Sequence, residues 1–295
     1  MKNAIRLSLL YLLLTVFWGN THAFIKLEGY IPQHIQSEQM KQQYIRIWQT
    51  LVPDLQIDTS SLYVTYYHHQ RGKRYGVRLP EWGGGGAIGT DSIIVPINRT
   101  PVLGMDFYQI TVHELVHIVV NRAFGTTHIP RWLHEGLAMV LSGEMPLEGQ
   151  KRLSWAVLSG DLLSLDTIEH VNRFDASRAH LAYAMSHAVV LFMIETYAID
   201  GIEELLRAAR GRHSFPAALK EVYGFTPQEF EVEAVKFIYS RYRFSFLSDQ
   251  SYIWILTGLL ALAAIIVSQL RTRRRLREMV LQESALEPSQ QQEND

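Results

Sequence analysis

Hydrophobic residues are distributed along the chain in two distinct ways. Near each end lies a continuous apolar run, at residues 7–18 and 252–270. Between these runs, residues 24–250 mix apolar and polar positions with the periodicities of amphipathic helices and strands. Because each such element can bury one face, we expect residues 24–250 to fold as one domain with a sizeable core.

The first half of this domain predicts one helix and two strands. Residues 37–52 show helical spacing, with Ser37 as a candidate N-terminal cap. Residues 62–67 and 91–100 are rich in β-branched and aromatic side chains, which is typical of strands. The apolar positions that share one face of the helix are Met40, Tyr44, Ile47 and Leu51.

A glycine-rich segment, WGGGGAIG at residues 82–89, lies between the two predicted strands. A phosphate-binding loop would need a helix directly after it and a Gly-Lys-Ser/Thr sequence, and this segment has neither. We therefore interpret it as a flexible loop, either a plain surface loop or a mobile flap beside a substrate groove.

From about residue 103 onwards the pattern becomes helical. Residues 106–125 and 130–143 predict two helices, which end at Gly125 and Gly143. Further helices are predicted at residues 180–198, 201–211, 214–224 and 226–242. A small N-terminal sheet followed by a helical array indicates the α+β class.

The first 23 residues have the layout of a secretory signal. Lys2 and Arg6 precede the apolar run, and a polar stretch that ends at Ala23 follows it. The apolar core is shorter than the ~20 residues that cross a bilayer comfortably. We predict a signal peptide at residues 1–23, with an uncleaved membrane anchor as the alternative.

The second apolar run predicts a transmembrane helix at residues 251–270. Nineteen consecutive positions, 252–270, carry no charged side chain, and they open with a tyrosine and a tryptophan that suit the membrane interface. Five arginines follow within residues 271–277, which places that side in the cytoplasm. We predict residues 271–295 to be a cytoplasmic basic stop-transfer segment and a disordered tail. A buried helix of a soluble protein is the alternative to the membrane span.

Composition narrows the classes of function. Hydrophobic residues make up 47% of the chain and charged residues 19%, as in ordinary globular proteins. The formal net charge of -1 argues against nucleic acid as a partner. The absence of cysteine excludes disulfides, thiolate metal ligands and a cysteine nucleophile.

The sequence TVHELVHIVV, residues 111–120, places two histidines and a glutamate in an otherwise aliphatic helix. Residues four apart share one helical face, so His113 and His117 present two imidazoles to a common point, with Glu114 one step round. This is the H-E-x-x-H arrangement of two zinc ligands and a carboxylate that accepts a proton from water. Unpaired polar groups are costly in a buried helix. A metal therefore accounts for the pattern better than two core histidines bonded to backbone carbonyls.

A catalytic zinc takes three protein ligands and leaves a position for water, so a third ligand is needed. The metzincin spacing, with a third histidine shortly after His117, is absent. The sequence RWLHEGLAMV supplies Glu135, and its neighbours Gly136 and Ala138 would allow this helix to pack closely on the metal helix. His134 is the rival ligand, but adjacent residues on a helix point in different directions, and we favour Glu135.

In these residues the chain resembles the gluzincin zinc metallopeptidases, and in particular their compact peptidase MA-like domains. The resemblance rests on HELVH, PRWLHEGLA and AYAMSHAVVLFMIETYA in that order, and it spans roughly residues 90–240. It implies a zincin-like fold and one zinc ion held by His113, His117 and Glu135. It also implies that Glu114 is the general base and then the proton donor.

The resemblance further implies a tyrosine on a later helix that polarises the scissile carbonyl. Tyr183 matches that position, with a core aromatic as the alternative, and His187, one turn further on, is a weaker candidate for the same role. Larger gluzincins carry an aspartate four residues after the ligand glutamate, which orients a zinc histidine. That position is Met139 here, so the orienting partner must come from elsewhere in the chain.

The sequence thus predicts a membrane-anchored zinc peptidase that acts on exported polypeptides. In a bacterium its catalytic domain would lie on the periplasmic face of the inner membrane, with the C-terminus in the cytoplasm. The strand at residues 91–98 is a candidate groove edge on which an extended substrate pairs. Two other functions stay open: a non-catalytic zincin-like protein that binds a partner, which has no need of Glu114, and an aminopeptidase, which needs an acidic cluster for the substrate's amino terminus.

Overall fold

The computed structural model of the protein describes residues 24–68, 79, 83–98, 106–144, 147–245 and 250–291. The predicted signal peptide, residues 1–23, lies outside the described residues and stays a prediction. The chain divides into two compact units, with the boundary after Arg243. The first unit holds all of the predicted site, and the second holds the apolar C-terminal helix.

A four-stranded sheet forms the N-terminal part of the first unit. Its strands are β1 (Ile25–Gly29), β2 (Leu62–Tyr67), β3 (Gly86–Ile88) and β4 (Ser92–Pro96), in the order β1-β2-β4-β3. Strands β1, β2 and β4 run parallel to one another, and β3 runs antiparallel to β4. The two predicted strands are confirmed as β2 and β4. Strand β1 was not predicted, because it offers only two apolar positions, Ile25 and Leu27, as a signal.

Helix α1 (Ser37–Leu51) connects β1 to β2 and buries the predicted apolar face. The suggested cap is wrong: Gln36 occupies the N-cap position, and no side chain caps this helix end. Ser37 is already helical, and its hydroxyl donates to the backbone carbonyl of Ile25 instead. This hydrogen bond ties the start of the helix to β1.

The interpretation of residues 82–89 as a flexible loop is wrong for the last part of that segment. Residues Gly86–Ile88 form β3, whose Ala87 lies opposite Ile93 of β4. The strand is short and its glycine-rich context conceals it, because glycine adds no side-chain packing to the strand pattern. The segment therefore supplies a sheet edge rather than a flap.

Seven helices follow the sheet in the first unit, in the described part of the chain. They are α2 (Phe107–Phe124), α3 (Arg131–Ser142), α4 (Leu147–Ser159), α5 (Leu165–Ile168), α6 (Ala176–Arg212), α7 (Phe215–Tyr223) and α8 (Pro227–Tyr242). All the predicted helices are present, and the mixed α+β class is confirmed. Helix α4, of 13 residues, and helix α5, of four residues, were not predicted.

Helix α2 is held at both ends by local sequence signals. Asp106 accepts a hydrogen bond from the backbone of Gln109, whose side chain in turn accepts from the Asp106 backbone. At the other end Gly125 has a φ of 54°, as the predicted glycine stop requires. The helix packs against α1, α3, β3 and β4, so its middle is buried on all sides.

Helix α6 is broken at Ala198, where the backbone takes φ 58° and ψ −179°. The break separates the two helices predicted at residues 180–198 and 201–211. Helix α6 as a whole is long and apolar enough to cross a membrane, but 56% of its most apolar 18-residue segment is buried inside the unit. Since α6 packs against α3, α4, α7 and α8, it is the central core helix of this unit.

The second unit is dominated by α9 (Gln250–Gln291). Its segment Trp254–Leu281 is also long and apolar enough to cross a membrane, and none of it is buried. The helix continues through the arginine-rich residues 271–277, because arginine and leucine favour helix. The helix therefore includes the predicted stop-transfer segment and extends into the predicted disordered tail, as far as Gln291.

Candidate metal centre

The middle of α2 brings two of the predicted ligands together. His113 and His117 lie one helical turn apart, and their ring centroids are 4.9 Å from each other. Both residues are 8% exposed, because their helix is enclosed by the sheet and by α3. The two rings therefore face a shared, largely dry space.

Helix α3 places Glu135 opposite these rings. Its Oε2 lies 3.3 Å from Nε2 of His113 and 3.4 Å from Nε2 of His117. The three ligand atoms lie within 4.8 Å of one another. Two ligands held about 2.0–2.2 Å from one tetrahedral ion lie roughly 3.3–3.5 Å apart. The observed spacing of Glu135 from both histidines matches that separation.

The environment of Glu135 fits a bound cation. The residue is 1% exposed, and Oε2 accepts no hydrogen bond from the described part of the chain. Burial opposes ionisation of the carboxyl, but Arg131 and His117 outweigh it and hold the pKa of Glu135 well below its usual range. A buried, ionised carboxylate with a free oxygen facing two imidazoles is a suitable donor set for a divalent ion.

An orienting partner that the sequence did not reveal lies directly after α3. Oε1 of Glu144 is 3.1 Å from Nδ1 of His113 and also accepts from the Ser142 hydroxyl at 2.8 Å. Nδ1–H of His113 donates to this carboxylate, which leaves the lone pair of Nε2 for the shared space. Gly143, with a φ of 74°, turns the chain so that Glu144 can reach back. Met139, the position of the orienting aspartate in larger gluzincins, is a buried apolar residue.

His134 lies beside His117 rather than at the shared point. The Nδ1 atoms of the two rings are 3.0 Å apart, and the rings stack with centroids 5.3 Å apart. Burial, reinforced by the charge of His117, lowers the pKa of His134 to about 3, so it stays neutral and can accept a hydrogen bond. The structure therefore groups Glu135, and not its rival His134, with the two histidines of α2.

Glu114 faces the sheet edge. The backbone N–H of Ala87 in β3 donates to its carboxylate, and burial raises the pKa of Glu114 above the usual value. The approach is close at Gly85, directly before β3, where an added Cβ would lie 2.9 Å from Cγ2 of Ile110 and 3.1 Å from Cγ and Oε1 of Glu114. The lack of a side chain at Gly85 thus lets the chain pass close to this carboxylate.

Helix α6 carries Tyr183 and His187, and the charges of the centre act on both side chains. Burial, followed by the nearby charge of Glu135, raises the pKa of Tyr183 well above its usual range, so the phenol keeps its proton. Burial lowers the pKa of His187 to about 4, and the charge of Glu144 acts in the opposite direction.

The predicted reason for the small residues next to Glu135 needs correction. An added Cβ at Gly136 would lie 2.3 Å from the backbone carbonyl of Ser186 in α6. Gly136 therefore allows close contact with α6 and not with the metal helix α2. This contact brings the α6 segment that carries Tyr183 against α3.

Comparison with known proteins assigns this arrangement to a family. A family model described as the Peptidase MA superfamily matches residues 57–240, which include the whole candidate centre. A search of curated proteins gave no significant match.

Proposed function

The chain belongs to the Peptidase MA superfamily, and from that membership we propose that it is a zinc-dependent peptidase of the gluzincin type. Its metal ligands are His113, His117 and Glu135. The observation that carries the proposal is the convergence of these three side chains at distances that suit one tetrahedral ion.

An ion held by these residues would supply Lewis acidity, which lowers the pKa of a water molecule to about 7 and polarises a carbonyl oxygen. The Glu114 carboxylate, one residue after His113 in α2, would accept a proton from the water whose oxygen adds to the carbonyl carbon of the peptide bond. Glu114 would then pass this proton to the amine nitrogen as the C–N bond breaks.

Tyr183 stabilises the oxygen of the attacked carbonyl by donating a hydrogen bond. Burial and the charge of Glu135 raise its pKa, which keeps the phenol protonated and able to donate. One such donor contributes about 3–4 kcal/mol to transition-state stabilisation in comparable sites.

The substrate binds along β3 and not along the strand suggested by the sequence. Strand β4, within the predicted residues 91–98, is paired on both sides, with β2 and with β3, so its backbone has no room for another strand. Strand β3 lies at the sheet edge next to Glu114, and such an edge readily pairs with an extended peptide.

The peptidase domain is tethered to a membrane through α9 and acts on exported polypeptides. Support comes from the length and exposure of the apolar segment Trp254–Leu281 and from the arginines that follow residue 270. We infer from the arginines that the peptidase domain lies on the exported side, at the periplasmic face of an inner membrane in a bacterium, with the C-terminus in the cytoplasm.

The test is a comparison of the full-length protein with Glu114→Gln, and with Glu221→Gln as a control for loss of an exposed carboxylate. We expect Glu114→Gln to keep its metal and to lose cleavage of envelope proteins, which then accumulate in membrane proteomics. The control should cleave like wild type. If wild type and Glu114→Gln gave identical proteomes and identical cleavage, the non-catalytic partner-binding alternative would replace this function.

A further inference from the structure

Arg131 lies one helical turn before Glu135, on the same face of α3. Its Nη2 is 2.6 Å from Oε1 of Glu135, and Glu135 is 1% exposed whereas the arginine side chain is 35% exposed. The backbone N–H of Arg131 donates to Oε1 of Glu169 at 2.6 Å, which fixes the start of the helix. Arg131 is thus fixed at two points: its backbone is bound to Glu169 and its guanidinium to Glu135.

The two oxygens of Glu135 have different neighbours. Oε1 faces the guanidinium of Arg131, whereas Oε2 faces the Nε2 atoms of His113 and His117. A carboxylate can bind a metal through one oxygen or through both, and binding through both takes up a position that water would otherwise occupy. The arginine therefore determines how many positions around the ion the glutamate can fill.

We propose, building on the function proposed above, that Arg131 is a positioning residue for Glu135. It occupies one oxygen of Glu135, so that this ligand would bind the metal through the other oxygen alone.

The proposal predicts a specific pattern of effects for Arg131→Met, which keeps the length of the side chain and removes its charge. Without the guanidinium, Oε1 of Glu135 is free to bind the metal. The affinity for Co²⁺ should therefore be unchanged or higher, while kcat falls about 10- to 100-fold, as is usual for partners of metal ligands. Arg131→Lys should be intermediate, because an ammonium keeps the charge but lacks the rigid planar fork that meets Oε1 of Glu135.

The decisive measurement is the visible absorption of full-length protein loaded with Co²⁺, since the geometry around the ion is diagnostic of its ligands. Arg131→Met should show a lower absorbance for each bound ion than wild type, because the ion gains a ligand. Arg207→Met, which removes an arginine from a surface pair with Glu203, is the matched control and should keep the wild-type spectrum and kcat.

Two results would overturn the proposal. One is a wild-type spectrum and a wild-type kcat in Arg131→Met. The other is a loss of both metal binding and thermal stability in Arg131→Met and Arg131→Lys alike, which would give Arg131 a role in folding only. Failure of the proposed function looks different, because wild type itself would then bind no Co²⁺ or Glu114→Gln would stay active.

Discussion

Helix α2 carries two buried polar clusters, one at its last turn and one in its middle, and they differ in how their charges are balanced. At the last turn, the Arg122 side chain is 2% exposed, and all of its N–H groups donate to protein acceptors. The acceptors are the backbone carbonyls of Asp58, Ser60, Ser61 and Thr90 and the hydroxyl of Tyr44. This cluster is complete without any further group.

The middle of the same helix has the opposite balance. Glu114 and Glu135 are both buried. Arg131 pairs with Oε1 of Glu135, whereas Oε2 faces two imidazoles and accepts no hydrogen bond from the described residues. Buried carboxylates with too little positive charge around them cost several kcal/mol. The comparison teaches that one cluster holds the fold together and that the other needs a cation to become complete.

The largest expected change in stability follows a substitution of Arg122 in the complete cluster. Arg122→Met leaves several buried acceptors without a donor and should lower the free energy of unfolding by about 3–5 kcal/mol, with or without metal. Urea denaturation of the full-length protein measures the change. Arg207→Met, at the surface, should shift it by less than about 0.5 kcal/mol. An equally small change for Arg122→Met would remove the contrast between the clusters.

Metal removal should affect only the incomplete cluster. An ion present at about 1,000 times its dissociation constant stabilises the folded state by ~4 kcal/mol. Chelation should therefore lower the free energy of unfolding by about that amount in wild type and equally in Arg122→Met. Glu135→Gln should respond far less to chelation, because it has lost the charged ligand. An equal response of wild type and Glu135→Gln to the chelator would show that the ion binds elsewhere.

The orienting carboxylate should have an intermediate effect. Glu144→Gln keeps the shape of the side chain but weakens its bond to Nδ1 of His113, so the metal should bind about 10- to 100-fold more weakly. Competition with a chromophoric chelator measures this affinity. Ser142→Ala, which removes only the hydroxyl donor to Glu144, should weaken binding less. Unchanged affinity in Glu144→Gln would assign the orientation of His113 to other groups.

The smallest effect is expected for the hydrogen-bonded pair of uncharged side chains, Tyr66 and Thr111, that joins β2 to α2. The hydroxyl of Tyr66 lies 2.8 Å from that of Thr111, which itself donates to the carbonyl of Phe107, so Tyr66 is the donor of the pair. Tyr66→Phe should lower the free energy of unfolding by about 1 kcal/mol and leave metal affinity unchanged. A change in metal affinity would show that the satisfied pair and the metal cluster are coupled.

The sequence predicted the helical part of the molecule well because its signals are local. Helical spacing and glycine stops located α2 and α3, and the four-residue spacing of His113 and His117 follows from helix geometry alone. Glu135 could be selected because it lies in a second apolar helix. These features depend on neighbours within a few residues.

The sequence could not predict features that depend on contacts between distant segments. Glu144 follows a glycine stop like many surface residues, and only the fold shows that it returns to His113, 31 positions earlier. Strand β3 has only three residues and follows a run of glycines, so its sequence shows no strand pattern. Gly136 gives no indication of which helix it approaches. Arg131 has the sequence position of an ordinary first-turn residue, and only the structure shows that its partner Glu135 is buried.

The central claim is that three side chains from α2 and α3 hold one divalent ion, and metal analysis of the purified full-length protein tests it most directly. Wild type, dialysed against zinc and then against metal-free buffer, should retain one zinc ion per chain. His113→Ala and Glu135→Gln, treated in the same way, should retain far less than one ion per chain while they stay folded. A wild-type protein without bound metal, or variants that retain zinc as wild type does, would contradict the claim.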